Sequence, residues 1–347
     1  MKHSYGRPPT RRLVFWAGLG FVLAVLLAPL PGYWFQATAV AETSANPPAE
    51  FWRQVRQGVS GYSAVTGPEA AVLIQNGGEN WRALRNGPVS VYGAWIMAGM
   101  LLVIGLYFLV KGRVRIDNGR SGLVVSRWDV FDRVVHWWIT VLFLILAVTG
   151  LSLLFGRTVL IPLLGKDAFA AYAGFAKDVH NYLGPFFAVG LVLAILKWRR
   201  INLFNRADMT WLAQGGGMIG SAHVPAGQLN AGEKVLFWLV TLLGLAVVVS
   251  GLVLNFPNFG QTRDTMQLYH LIHVATAIPL IALIFGHIYM ATLGTEGALE
   301  GMIDGRVDAR WAQQHHDLWY RELLAKGVKP EPVEPGVRTA PAQPRLT

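Results

Sequence analysis

The sequence predicts an all-α integral membrane protein, and three observations carry that expectation. Hydrophobic residues make up 53% of the 347 residues and charged ones only 14%, against about 25% charged in soluble domains. Apolar runs of about 20 residues, the length that crosses a bilayer, recur along the chain. Lys and Arg gather in alternate connecting segments, as they do when cytoplasmic loops carry the positive charge. The formal charge of +10 therefore reads as loop charge and not as a nucleic-acid surface. Cysteine is absent, which excludes disulfides, thiolate-bound iron–sulfur clusters and the C-x-x-C-H attachment of c-type haem. Any redox metal held here must use His, Met or carboxylates.

Along the chain, Lys2–Arg12 is basic and leads into the apolar run Leu13–Leu30, with Ala39-Val40-Ala41 as a small-residue cleavage point. Residues 1–41 thus read as a signal peptide or, because the run is long, as a retained anchor helix. Residues 42–90, punctuated by Asn76-Gly77-Gly78 and Asn86-Gly87-Pro88, read as an extracytoplasmic segment of short helices and turns. Val91–Val110 is an extra N-terminal transmembrane helix. Residues 111–325 hold four further spans, Val134–Phe155, Tyr182–Trp198, Val235–Leu254 and Leu271–Leu293. The Pro-rich residues 326–347 are expected to form a disordered tail. With residue 111 inside, the inner segments hold eighteen Lys and Arg and the outer segments eight. That asymmetry places the C-terminus in the cytoplasm.

The span Leu271–Leu293 carries two histidines, His273 and His287. At about 100° and 1.5 Å per residue, both rings leave nearly one face and stand roughly 21 Å apart along the helix. Ionisable side chains inside hydrocarbon are costly and usually functional. The topology puts His273 at the outer level and His287 at the inner level. His180, at the start of one span, also lies outside; His136, at the start of another, lies inside. The four therefore sort by depth into two pairs, His180 with His273 and His136 with His287. Two bis-histidine haem b sites held between helices are the natural reading.

Alternatives stand beside it. His270, one turn before His273, competes as the outer ligand, and His136 and His180 can be read as interfacial histidines. His223, His315 and His316 fall in polar segments and are expected to be solvated, and His3 belongs to the leader. Arg127, Arg133 and Lys234 are candidate partners for haem propionates, or plain positive-inside charges. Gly150 and Gly184 offer close approach for a porphyrin edge, or plain helix packing. Pro279 should kink the last span between its histidines.

The stretch RWDVFDRVVHWWITVLFLILAVTGL at Arg127–Leu151 resembles the first core helix of the cytochrome b (gamma) subunit of membrane-bound respiratory formate dehydrogenase. The similarity continues through HNYLGPFF at His180–Phe187, LNAGEKVLFW at Leu229–Trp238, the span Leu271–Leu293, and EGMIDGRVDARWAQQHHDLWYREL at Glu300–Leu323. It covers roughly residues 127–325; residues 1–110 extend beyond the compact four-helix form. The resemblance implies a four-helix di-haem cytochrome b bundle with one extra helix, in the bacterial inner membrane. It implies that His180 and His273 ligate the periplasmic-side haem and His136 and His287 the cytoplasmic-side one. It also implies a menaquinone or ubiquinone site beside the cytoplasmic haem, lined by Asn230, Ala231, Gly232 and His287. Without the resemblance, Asn230 reads as a helix N-cap. The implied partners are an Fe–S (beta) subunit and a catalytic molybdenum or tungsten (alpha) subunit, with this chain passing formate-derived electrons to quinone. The same plan would serve a hydrogenase or a thiosulfate or polysulfide reductase, and a haem-free transporter or anchor is the contrasting class.

Overall fold

Uninterrupted apolar sequence has one low-energy form in hydrocarbon, the helix, because every backbone N–H and C=O must bond within the segment. In the computed structural model, which describes residues 76–217 and 224–333, five helical stretches are long and apolar enough to cross a membrane. The leader 1–41, most of the following polar segment, His223 and residues 334–347 lie outside the described residues. The helices are α1 (Asn76–Leu84), α2 (Ser90–Lys111), α3 (Val130–Phe155), the short α4 (Leu160–Leu164), α5 (Lys166–Trp198), α6 (Arg206–Ala213), α7 (Ala231–Asn255) and α8 (Arg263–Tyr289). Beyond α8 come α9 (Glu300–Ile303), α10 (Ala309–His315) and α11 (Asp317–Ala325). Among the described residues, 148–180 form one compact unit and the remainder another.

In the larger unit α7 and α8 run along each other, and α2 packs on α8. Small residues allow these approaches: Gly93 meets Ile278, and Gly244 lies 3.0 Å, by its absent methyl, from Leu191. A methyl on Gly190 would stand 2.6 Å from both Trp138 and Ile139, so α3 and α5 close on a glycine. The aliphatic faces turned away from these contacts, such as Leu101, Leu102, Leu109 and Val110 of α2, are exposed, as lipid-facing side chains are.

Three expectations are corrected. The punctuation at Asn76–Gly78 and Asn86–Pro88 does not break the chain into turns. Helix α1 continues through a wider π turn at Arg85–Val89 into α2, with Pro88 inside it. Ser90 Oγ donates to Arg85 O at 2.6 Å, the same carbonyl that the wider turn pairs with the Ser90 backbone N–H. Second, the span expected at Tyr182–Trp198 is the end of a 33-residue helix from Lys166. Lys177, Asp178 and His180 lower the hydropathy there, yet the Ala-rich stretch before them favours helix strongly. Third, the Pro-rich tail is not wholly unstructured: Glu331–Pro332 forms strand β3.

That strand completes a small sheet, with β1 (Leu123–Ser126) between β2 (Arg306–Asp308) and β3. Proline is tolerated there because an edge strand can leave one side unpaired. Ile116, Val125, Val307, Trp311, Ala312 and Trp319 form the core of this cap. His316, expected to be solvated, is instead 1% exposed. Its Nδ1–H donates to Gly227 O at 2.8 Å, and its Nε2 accepts from Arg127 at 3.1 Å. The same guanidinium nitrogen reaches Glu233 at 3.0 Å, and the guanidinium group lies over the Trp311 ring. A polar histidine thus sits in a core because both its nitrogens find partners there.

Burial, and then the Arg127 charge, pushes the His316 pKa down from 6.5 to about 3. Unfolded, the ring protonates below about 6.5; folded, it resists. Cap stability should therefore be full above about pH 6.5 and decline as the pH falls toward 3. Thermal denaturation followed by tryptophan fluorescence between pH 7 and 4 should show that slope, and His316→Gln should flatten it.

Candidate haem and quinone sites

His136 sits two turns into α3 and His287 near the end of α8, and the fold brings them together. Their ring centres are 6.3 Å apart with planes at 61°. Two imidazoles sharing one metal through N–metal bonds of about 2 Å place their ring centres roughly 6 Å apart. The observed spacing fits one iron between them. His136 Nδ1 is buried and has no hydrogen-bond partner.

At the other end of α8, His270 and His273 differ in what their nitrogens do. Trp81 Nε1 donates to His270 Nδ1 at 3.2 Å. An indole N–H can only donate, so the His270 ring keeps its own proton on Nε2. His273 is the reverse. Its Nδ1 lies 3.0 Å from Val247 O and 3.1 Å from Ser250 Oγ. A carbonyl can only accept, so Nδ1 carries the proton and Nε2 keeps its lone pair, the form that binds a metal. Gly251 makes the space, since a methyl there would stand 3.0 Å from His273 Cε1.

Within the 148–180 unit, His180 has a matching cradle. Thr149 Oγ1 lies 2.9 Å from its Nδ1, and a methyl on Gly150 would meet Cε1 at 3.2 Å. Gly150 therefore makes room for an imidazole, while Gly184 faces open space. Gly150 was expected to admit a porphyrin edge, whereas Thr149, Ser250 and Gly251 carried no expectation from the sequence. The available signal was a hydroxyl followed by glycine late in two of the apolar runs.

Asn230 is the N-cap of α7. Its Oδ1 accepts from Glu233 N, and Glu233 Oε2 accepts from Asn230 N, both at 2.9 Å. This reciprocal box leaves the amide Nδ2 of Asn230 to donate elsewhere. Ala231 is fully buried. Gly232 lies under Trp211 of α6, whose ring edge would be 2.9 Å from an added methyl.

All three basic residues expected near propionates have partners within the protein. Arg127 belongs to the Glu233–His316 cluster, and Lys234 is buried with Asp208 at 2.7 Å. Arg133 donates to Ile303 O at 2.7 Å. Pairing, not solvation, stabilises these charges in the low-dielectric setting.

A helical membrane bundle that brings histidines together within it is the architecture of integral-membrane cytochromes b, electron-transfer proteins that use haem b. The family model for prokaryotic cytochrome b561 matches residues 127–305, and the chain belongs to that family, as a multi-pass membrane protein. It is 30% identical over 222 residues to the cytochrome b556(Fdn) subunit of the nitrate-inducible formate dehydrogenase of Escherichia coli (strain K12). That alignment covers 61% of this chain and 97% of the relative. A cytochrome b556(fdo) subunit of formate dehydrogenase from the same strain is 28% identical, over 57% of this chain and 93% of its own. The formate dehydrogenase cytochrome b556 subunit of Haemophilus influenzae (strain ATCC 51907 / DSM 11121 / KW20 / Rd) is 32% identical over 56% and 82%.

Two outcomes are expected. Gly251→Ala, by crowding His273, should lower haem b per chain in a pyridine haemochrome assay, whereas Gly184→Ala should leave it unchanged. Lys234→Met alone strands Asp208 as a buried unpaired charge and should cost about 3–5 kcal/mol in denaturant titrations. The double change Lys234→Met with Asp208→Leu should recover most of that loss.

Proposed function

We propose that this chain is the membrane cytochrome b subunit of a formate dehydrogenase, carrying electrons through two b haems to the quinone pool. The single observation that carries the reading is the 6.3 Å spacing of His136 and His287. The haems, when bound, supply the one-electron chemistry, and the protein supplies ligation, spacing and electrostatics. His136 and His287 are the inner ligands. By the depth order in the sequence, His180 and His273 are the outer ones, and the hydrogen bonding of His273 favours it over His270.

Quinone reduction falls at the start of α7. Asn230 Nδ2 is a donor for a quinone carbonyl, and the positive end of the helix favours negative charge developing there. Gly232 lets Trp211 close over the start of α7, and His287 is the proposed third member of the site. The relatives' names describe subunits of formate dehydrogenase, which supports a multi-subunit complex; the partners we propose are an Fe–S subunit and a catalytic formate-oxidising subunit, to which this chain is the membrane link. The surplus of Lys and Arg on one side supports a bacterial inner-membrane location with a cytoplasmic C-terminus.

The test is a substitution series read by reduced-minus-oxidised visible spectra of the purified protein. His136→Ala and His287→Ala should remove one half of the haem b signal, and His180→Ala and His273→Ala the other half. Asn230→Ala should leave both haems reducible and slow their reoxidation by added quinone at least tenfold. Co-purification of formate-oxidising subunits distinguishes this donor from a hydrogenase or a sulfur-compound reductase.

A further inference from the structure

The proposed ligands differ in what faces their second nitrogen. His273 Nδ1–H is flanked by two oxygens, Val247 O at 3.0 Å and Ser250 Oγ at 3.1 Å. The Ser250 hydroxyl hydrogen is directed to Ala246 O at 2.6 Å, so its oxygen presents a lone pair to the ring. His180 Nδ1 has Thr149 Oγ1 at 2.9 Å. With Nε2 on a metal, the neutral His180 ring carries its proton on Nδ1, and the Thr149 oxygen is then an acceptor. His136 is the contrast, with Nδ1 buried and no acceptor for it.

We propose that this asymmetry sets the order of the two haem potentials, with Ser250 and Thr149 as positioning residues that keep the outer haem the lower. The proposal rests on the two-haem reading above. A ligating imidazole whose far N–H donates to oxygen becomes a stronger electron donor. It stabilises ferric over ferrous iron and so lowers the potential; axial ligation and its hydrogen bonds are among the protein's main levers. Two such donations act at the outer level. At the inner level His136 Nδ1 has no acceptor, so the inner haem lacks the matched pair of donations and is assigned the higher potential. With both haems bound, this order would make electron transfer from the outer to the inner level, toward the quinone side, downhill.

The same devices fix ring orientation. Gly251 and Gly150 leave room for the Cε1–Nδ1 edge of each imidazole, and the hydroxyl of the preceding residue engages Nδ1 on that same edge. Ser250 is 1% exposed and Thr149 7%, so in neither case does solvent replace the hydroxyl.

The experiment is a redox titration of the visible spectrum of the full complex, comparing wild type with Ser250→Ala, Thr149→Val and the conservative Ser250→Thr. Wild type should resolve two one-electron components of similar size. Ser250→Ala and Thr149→Val should each move the lower component to more positive potential at unchanged haem content, leaving the upper in place. The expected size is a severalfold to tenfold change in the ferric-to-ferrous ratio, where tenfold corresponds to about 59 mV for one electron. Ser250→Thr should stay near wild type. Movement of neither component, or of the upper one, overturns the proposal, as does loss of the lower component in His136→Ala. If His273→Ala retains both components, the ligand reading itself fails, which is a separate outcome from an unmoved Ser250→Ala.

Discussion

An imidazole inside hydrocarbon has two nitrogens and no water, and what holds one nitrogen decides what the other can do. Everything distinctive about the helix Arg263–Tyr289 follows from this constraint. His270 accepts from an indole and keeps its proton on the far side; His273, one turn on, donates to a carbonyl and keeps its far lone pair. Two chemically identical side chains on one helix are thus made different by single neighbours. Those neighbours come from different places, Trp81 from the added helix at the N-terminus and Val247 from α7. The extension is therefore part of the histidine chemistry as well as of the membrane anchoring, because it occupies the histidine that would otherwise compete.

A second constraint operates where the helices meet the small sheet. Charges there are numerous yet shielded from water, and each is balanced locally: Arg127 with Glu233, Lys234 with Asp208, Arg120 with Glu300 at 2.7 Å. Glu233 takes part in both the N-cap of α7 and the Arg127 cluster. The start of α7 is consequently tied to the sheet through His316 and Arg127. A cap that seems peripheral in sequence orients the helix end at which quinone is proposed to bind.

Most of the spans were legible because hydropathy reports directly on lipid and water. The small sheet was not, since β1 is four residues long and its partners lie far away in sequence. His316 was misread for a related reason: two adjacent histidines in a polar stretch resemble solvated loop, and only tertiary packing of Arg127, Trp311 and Gly227 makes a core of one of them. The cradles of Thr149 and Ser250 were invisible because serine and threonine in apolar helices usually bond to the preceding turn. Ser250 does that as well; its lone pair toward His273 depends on a neighbouring helix. Asn230 was readable as a cap and is one, and the cap geometry is what leaves its amide nitrogen available.

The fourteen residues from His273 to His287 carry a consequence for how such a chain can change over time. Inserting or deleting one residue between them would turn one ring about 100° relative to the other and shift it by about 1.5 Å. No loop intervenes to absorb that error. Side chains on the outer surface of this helix are free to drift among apolar types, but its length in register is not. Insertions are instead tolerated in connecting segments, such as the turns around Gly260 or Gly297, where the chain already takes positive φ.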